Sequence, residues 1–168
     1  MNDFFNKTDL SSKDAEGIIS ETLNKCDDGE LYLENSKSES IVLDDDKIKS
    51  SNYSSDLGYG LRAVTGEVVA YSHSNEISKK SLKQSANNLS STLKSQKGVY
   101  NHEIPQTNKK FYKNVNPIEE KSLQSKLDLL KEVNNYTRAK GGIVQQVTAS
   151  FAGEHKNIEI IRSGGELL

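Results

Sequence analysis

An α+β fold, with an antiparallel meander sheet packed against two or three long helices, is predicted by three observations. Apolar residues recur at helical spacing over Ile77–Leu93 and again over Glu119–Ala139. Between Glu30 and His73 the pattern instead alternates with a period near two, interrupted by Asp44-Asp45-Asp46. Within that region, Gly58–Ser74 reads as two strand-like runs flanking a Thr65-Gly66 turn.

Residues 1–10 lack periodicity and are expected to form a flexible N-terminus, leaving 11–168 as the α+β domain. Ser11 or Ser12 is placed to cap a first helix, with Asp14 and Glu16 in its first turn and Ala15, Ile18, Ile19, Thr22 and Leu23 as its apolar stripe. Gly17 inside that stripe costs about 1 kcal/mol relative to Ala without breaking the pattern. Short strands follow at Glu30–Asn35, where Leu31 and Leu33 share a face, and at Ser38–Leu43, where Ile41 and Leu43 do. Lys47–Ser54 is a more polar run, and Leu57–Val64 and Glu67–His73 complete the meander. A helix over Ile77–Leu93 gathers Ile77, Leu82, Ala86, Leu89 and Leu93 on one side. The irregular Ser95–Pro117 holds both prolines, and its length favours a short strand near Lys110–Lys113. Pro117 precedes a helix whose apolar face is expected to be Leu123, Leu127, Leu130 and Val133, stopped by Gly141-Gly142. Ile143–Ala152 and Asn157–Arg162 read as two strands around a Gly153 turn. The terminal Gly164-Gly165-Glu166-Leu167-Leu168 reads as interrupted, so the domain is expected to be incomplete at its C-terminus.

Composition narrows the function. With 33% hydrophobic residues and a mean hydropathy of −0.70, the core must be economical. A net charge of −2 with interspersed signs gives no global field for nucleic acid or anionic lipid, so neither is an expected partner. The N-terminus has no basic region followed by an apolar one, and no run approaches the ~18 apolar residues of a membrane helix, so the cytoplasm is the expected location. Cys26 is the only cysteine, which excludes an intramolecular disulfide and a thiolate metal cluster.

His102-Glu103 is the first candidate for metal chemistry, because zinc peptidases pair two histidines a helical turn apart with a glutamate that activates water. The positions a turn later are Gln106 and Thr107, and Pro105 breaks the helix between them. His155 follows Glu154 without a neighbouring histidine, and His73 stands at a strand end beside serines. Gly58-Tyr59-Gly60-Leu61-Arg62-Ala63 fits a dinucleotide-binding pattern, but turn and strand follow it, not the required helix N-terminus. These glycines are better read as close packing in a sheet. Arg62 either pairs with a carboxylate or contacts a peptide or subunit. Asp44-Asp45-Asp46 lacks the glycine and distal glutamate of a calcium loop. No Gly-x-Ser-x-Gly elbow is present.

Gly29-Glu30-Leu31-Tyr32-Leu33-Glu34, Glu39-Ser40-Ile41-Val42-Leu43-Asp44, Gly58-Tyr59-Gly60-Leu61-Arg62-Ala63 and Gln145-Gln146-Val147-Thr148-Ala149-Ser150 resemble, in order, N-terminal segments of TldD/PmbA-type bacterial zinc metallopeptidases. The helices after His73 and Pro117 add to the resemblance, which runs from about Glu21 to the C-terminus. Gly60–Gly66 and Gln146–Ser150 bring the chain nearer to TldD than to PmbA/TldE. The resemblance implies a two-domain protein whose C-terminal domain carries His-Glu-x-x-x-His and a cysteine ligand for zinc. It also implies paired TldD-like and TldE-like subunits that enclose a cavity and cleave unfolded peptides.

None of those ligands maps onto this sequence. No catalytic or metal residue is therefore assigned, and the chain alone is expected to be inactive. It would supply cavity wall, subunit contacts and peptide docking, with a TldE/PmbA-like subunit, unfolded peptide and its own C-terminal domain as partners and zinc held elsewhere in the full-length protein. The alternative is a stand-alone, non-catalytic peptide-binding or assembly module, so whether the chain counts as an enzyme stays open at this point. A gyrase-adaptor role, attached to the family name, finds neither charge nor motif here.

Overall fold

The computed structural model describes residues 4–6, 8–93, 98 and 115–162. His102-Glu103, the expected strand near Lys110–Lys113 and the terminal residues 163–168 lie outside them. The fold is α+β. Helix α1 (Ser12–Leu23) precedes strands β1 (Asp28–Asp44), β2 (Lys47–Thr65) and β3 (Val68–Ser74), then helices α2 (Lys79–Leu93) and α3 (Leu123–Arg138) and strand β4 (Thr148–Arg162). The four strands form one antiparallel sheet in the order β3-β2-β1-β4. The chain divides into two compact units, Met1–Asn35, Asp56–Phe111 and Asn157–Leu168 in the first and Ser36–Ser55 and Tyr112–Lys156 in the second.

Both hairpin turns are specified by backbone chemistry. Asp45 and Asp46 have φ of 46° and 63°, the left-handed pair of a two-residue type I′ turn, which aspartate tolerates better than most side chains. Between β2 and β3, Thr65 pairs with Val68 and Gly66 has φ of 59°, as a type II′ turn requires.

In the first unit, alternation on β1 and β2 turns Leu31, Leu33, Tyr59, Leu61 and Ala63 to one side of the sheet. Ala15, Ile19 and Leu23 of α1 and Leu82, Ala86 and Leu89 of α2 join them in a single core. Helix α1 begins with a reciprocal capping box between Ser11 and Asp14. Phe4 and Leu10 are buried in the same core, so apolar residues of the aperiodic first ten also contribute to it. Fully burying one such leucine contributes about 1.5–3 kcal/mol.

Among the described residues, the second unit has the smaller apolar cluster. Ile41, Leu43, Leu130 and Ala149 form its cluster, with Leu127 and Phe151 half-buried against it. Lys126 is buried among them, paired with Glu39, donating to the Ile118 carbonyl at 2.6 Å and lying 5.6 Å from the centre of the Phe151 ring.

Three local expectations are corrected. The strands are fewer and longer: Glu30–Asn35 and Ser38–Leu43 are parts of β1, and Lys47–Ser54 and Leu57–Val64 are parts of β2. Side-chain polarity at Asn35-Ser36-Lys37 ended the apolar pattern, but the main-chain ladder runs through regardless of side-chain character. Gly153 is likewise interior to β4 rather than a turn, and Ile143–Val147 lies outside the strand. Finally, α3 buries Lys126, Leu130 and Asn134, whereas Leu123 and Val133, expected on the apolar face, are 51% and 44% exposed.

Candidate functional site

Three consecutive residues of the edge strand β3 border a cleft of about 350 Å³. Because successive side chains leave opposite faces of a strand, a cleft touching Ser72, His73 and Ser74 reaches the strand's main chain. Its other wall is α2, which presents Lys80, Ser81, Gln84, Ser85 and Asn88, with Glu76 at one end. The helix starts there because the Ser78 hydroxyl accepts from the Ser81 N–H at 3.1 Å. Behind the cleft runs a hydroxyl chain. Ser72 donates to Ser85 at 3.0 Å, and the Tyr59 hydroxyl lies 2.9 Å from Ser85 and 2.8 Å from Ser81. Tyr59 and Ser85 are only 5% and 4% exposed, which holds this network in place.

The opposite face of the sheet in the same unit carries charge. Arg62 Nη1 donates to Asp28 at 3.0 Å and lies 4.0 Å from Glu30, and Arg162 lies 3.7 Å from Glu30. The Arg62 side chain remains 39% exposed and stands opposite Tyr71 of β3 in the strand register. Tyr71 and Val69 are 64% and 59% exposed there. A Cβ at position 60 would fall 2.5 Å from the Tyr71 hydroxyl, so Gly60 is where an aromatic side chain lies across the strand. Gly58 and Gly60 are thus packing glycines within β2, with no helix N-terminus after them. Nearby, burial together with the hydrogen bond to Glu34 pushes the Tyr32 phenol up to about 12.

In the second unit the Asp44-Asp45-Asp46 turn is clasped from the segment leading into β4. Asp44 accepts from Gln146 at 2.9 Å and Thr148 at 2.8 Å, with Lys49 at 3.6 Å. Those bonds, Gln146 first, hold its carboxyl below the ordinary range. Asp45 accepts from the Val147 N–H at 3.0 Å and pairs with Arg138. Two of the sequence segments that carried the family resemblance therefore meet here. Among the described residues, the outer edge of β2 is also open beyond β3: β3 pairs with Tyr59–Thr65, and 47–57 are exposed apart from the half-buried Ser50.

Among the described residues, no group of three or more His, Cys, Asp and Glu side chains is arranged to hold a metal ion, so those residues do not fit a zinc site. His73 stacks on Tyr71 at 5.9 Å between ring centres. Cys26 is buried.

Residues 29–92 match the family described as PmbA/TldA metallopeptidase domain 1. A TldD metalloprotease homologue from Buchnera aphidicola of Acyrthosiphon pisum is 35% identical over 143 residues, 84% of this chain and 30% of the relative. A TldD homologue from Haemophilus influenzae is 30% identical over 147 residues, again 84% and 30%. The chain belongs to the TldD/PmbA family. It spans about 30% of the length of these curated relatives.

The TldD/PmbA fold recurs in solved structures. A Bacteroides thetaiotaomicron protein described as a modulator of DNA gyrase matches with TM-score 0.67 and 19% identity, over 93% of this chain and 37% of that one. TldE from Thermococcus kodakarensis matches with TM-score 0.60 and 14% identity, over 92% and 36%. At such identities the likeness is one of fold. No helix among the described residues is long and apolar enough to cross a membrane.

Proposed function

We propose that residues 11–168 serve as the first domain of a TldD-like zinc metallopeptidase that degrades or processes unfolded peptides in the cytoplasm together with a TldE-like partner. This domain supplies cavity wall, subunit contacts and peptide docking. The zinc and the catalytic residues belong to a further domain of the full-length protein, against which this one packs. The observation that carries the reading is the ordered sequence match to TldD homologues over 84% of the chain. The fold likeness to a TldE supports a partner of related architecture.

Peptide docking uses strand edges. The outer edges of β3 and of 47–58 in β2 expose main-chain donors and acceptors, which bind an extended chain without requiring a particular sequence. Arg62, anchored by Asp28, keeps donors free for a carboxylate of peptide or partner. Balanced charge gives no affinity for nucleic acid or membrane.

Calorimetric titration of the chain with an unfolded peptide tests docking, and co-elution with a TldE-like subunit tests assembly. Saturable binding in each case is expected. A flat titration removes the docking role, and separate elution removes the partner role.

A further inference from the structure

We propose that the groove between β3 and α2 selects extended peptide segments with small, polar, uncharged side chains: serine, threonine, asparagine and glycine. This rests on the peptide-docking reading and names the class of peptide docked. Among the described residues, the groove has no aliphatic side chain in its lining. Six of its nine described lining residues are serine, glutamine or asparagine, and the other three are His73, Lys80 and Glu76. Lys80 and Glu76 carry opposite charges, so neither an acidic nor a basic segment is favoured.

An apolar side chain lowered into such a groove strips water from hydroxyls and amides and returns no hydrogen bond, which is costly. A serine or asparagine replaces the lost water contacts one for one. The dimensions agree with a short extended segment. Ser72–Ser74 offers roughly 10 Å of strand edge and Lys80–Asn88 about 12 Å of helix, enough for three or four extended residues.

The hydroxyl network adds direction. Because Ser72 donates to Ser85, Ser85 can donate onward to Tyr59 and Tyr59 to Ser81. That order leaves the Ser81 proton available to an oxygen in the groove, either a peptide carbonyl or a peptide hydroxyl. The α2 stripe thus offers one hydroxyl donor and two amides, Gln84 and Asn88, each able to donate and accept.

The test is a titration of the ¹⁵N-labelled chain, followed by amide shifts, with two end-capped peptides, Gly-Ser-Asn-Ser-Gly and Gly-Val-Leu-Val-Gly. The serine peptide should shift amides 72–74 and 80–88 and bind at least tenfold more tightly than the valine peptide. In the double variant Gln84→Leu, Asn88→Leu, both at exposed positions, that preference should fall about tenfold with the dispersion of the spectrum unchanged. Equal or tighter binding of the valine peptide overturns the selectivity. So does binding confined to 47–58 of β2, which leaves strand-edge docking standing. If neither peptide binds anywhere, both the selectivity and the docking role fall.

Discussion

The first unit is held chiefly by apolar burial, and the second by a few polar connections around a small apolar cluster. In the first, leucines and isoleucines from α1, α2 and the strands interlock, and its described ion pairs, such as Lys79–Asp14 and Arg62–Asp28, are part-exposed. In the second, Lys126 and Glu39, with side chains 6% and 10% exposed, pair beside Ile41, Leu43 and Leu130. The Asp44-Asp45 clasp adds a further set of hydrogen bonds. The difference shows how a chain of low mean hydropathy completes its fold. Where apolar side chains are scarce, a buried charge that is fully bonded fixes the position of a helix, at the risk of a large penalty if one partner is lost.

The largest expected effect follows directly. Lys126→Met leaves Glu39 buried without its cation and should cost about 3–5 kcal/mol, read as faster amide exchange in β1 and α3 of the second unit. The double variant Lys126→Met, Glu39→Leu should recover most of that loss, because a well-packed apolar pair replaces a buried ion pair at little cost. A silent Lys126→Met would erase the contrast between the units. In the first unit, Leu61→Ala should cost about 2–5 kcal/mol in urea unfolding through lost burial and the cavity left behind. A loss below ~1 kcal/mol would show that this core is looser than its burial implies.

Acid should act on both units. Hydrogen bonds from Lys79 and Ser11 hold Asp14 at about 2 against an ordinary 3.8. Asp44, through Gln146 and Thr148, and Glu119, through Lys37, are also lowered. A carboxylate whose folded pKa lies below its unfolded value contributes stability above the unfolded value and loses it as pH falls toward the folded one. Stability from these groups should therefore be intact above about pH 4 and decline toward pH 2. The denaturant midpoint followed across that range checks it, and a flat profile contradicts it. Tyr32 has the opposite sign: raised to about 12, it loses its contribution as pH climbs from 10 to 12, visible in the phenolate absorbance. The smallest effect is at the turn. Asp46→Gly at φ of 63° should gain a few tenths of a kcal/mol, because glycine adopts that conformation without strain.

Much of the fold was legible in the sequence because periodicity reports burial. α2 buries the residues that its spacing marks, α1 buries Ala15, Ile19 and Leu23 of its marked stripe with Ile18 and Thr22 half-buried, and the Asp44–Asp46 and Thr65-Gly66 signals fall at real turns. α3 is less legible, since a lysine and an asparagine at the two ends of its buried stripe, Lys126 and Asn134, carry no apolar signal in the sequence. Strand number is not legible in the sequence, because polar residues within a continuous strand look the same as a loop. The groove has a sequence signal of its own: Lys80, Ser81, Gln84, Ser85 and Asn88 form a polar stripe at helical spacing beside the apolar one. Arg62 was singled out in the sequence, and its carboxylate neighbours, 32 and 34 positions upstream, became visible only in the sheet.

The most direct test of the account measures zinc per chain and peptide hydrolysis on the same purified sample. The account predicts no stoichiometric zinc and no cleavage of an unfolded peptide by this chain alone. One tightly held zinc per chain with cleavage would place the catalytic centre within these residues and contradict it.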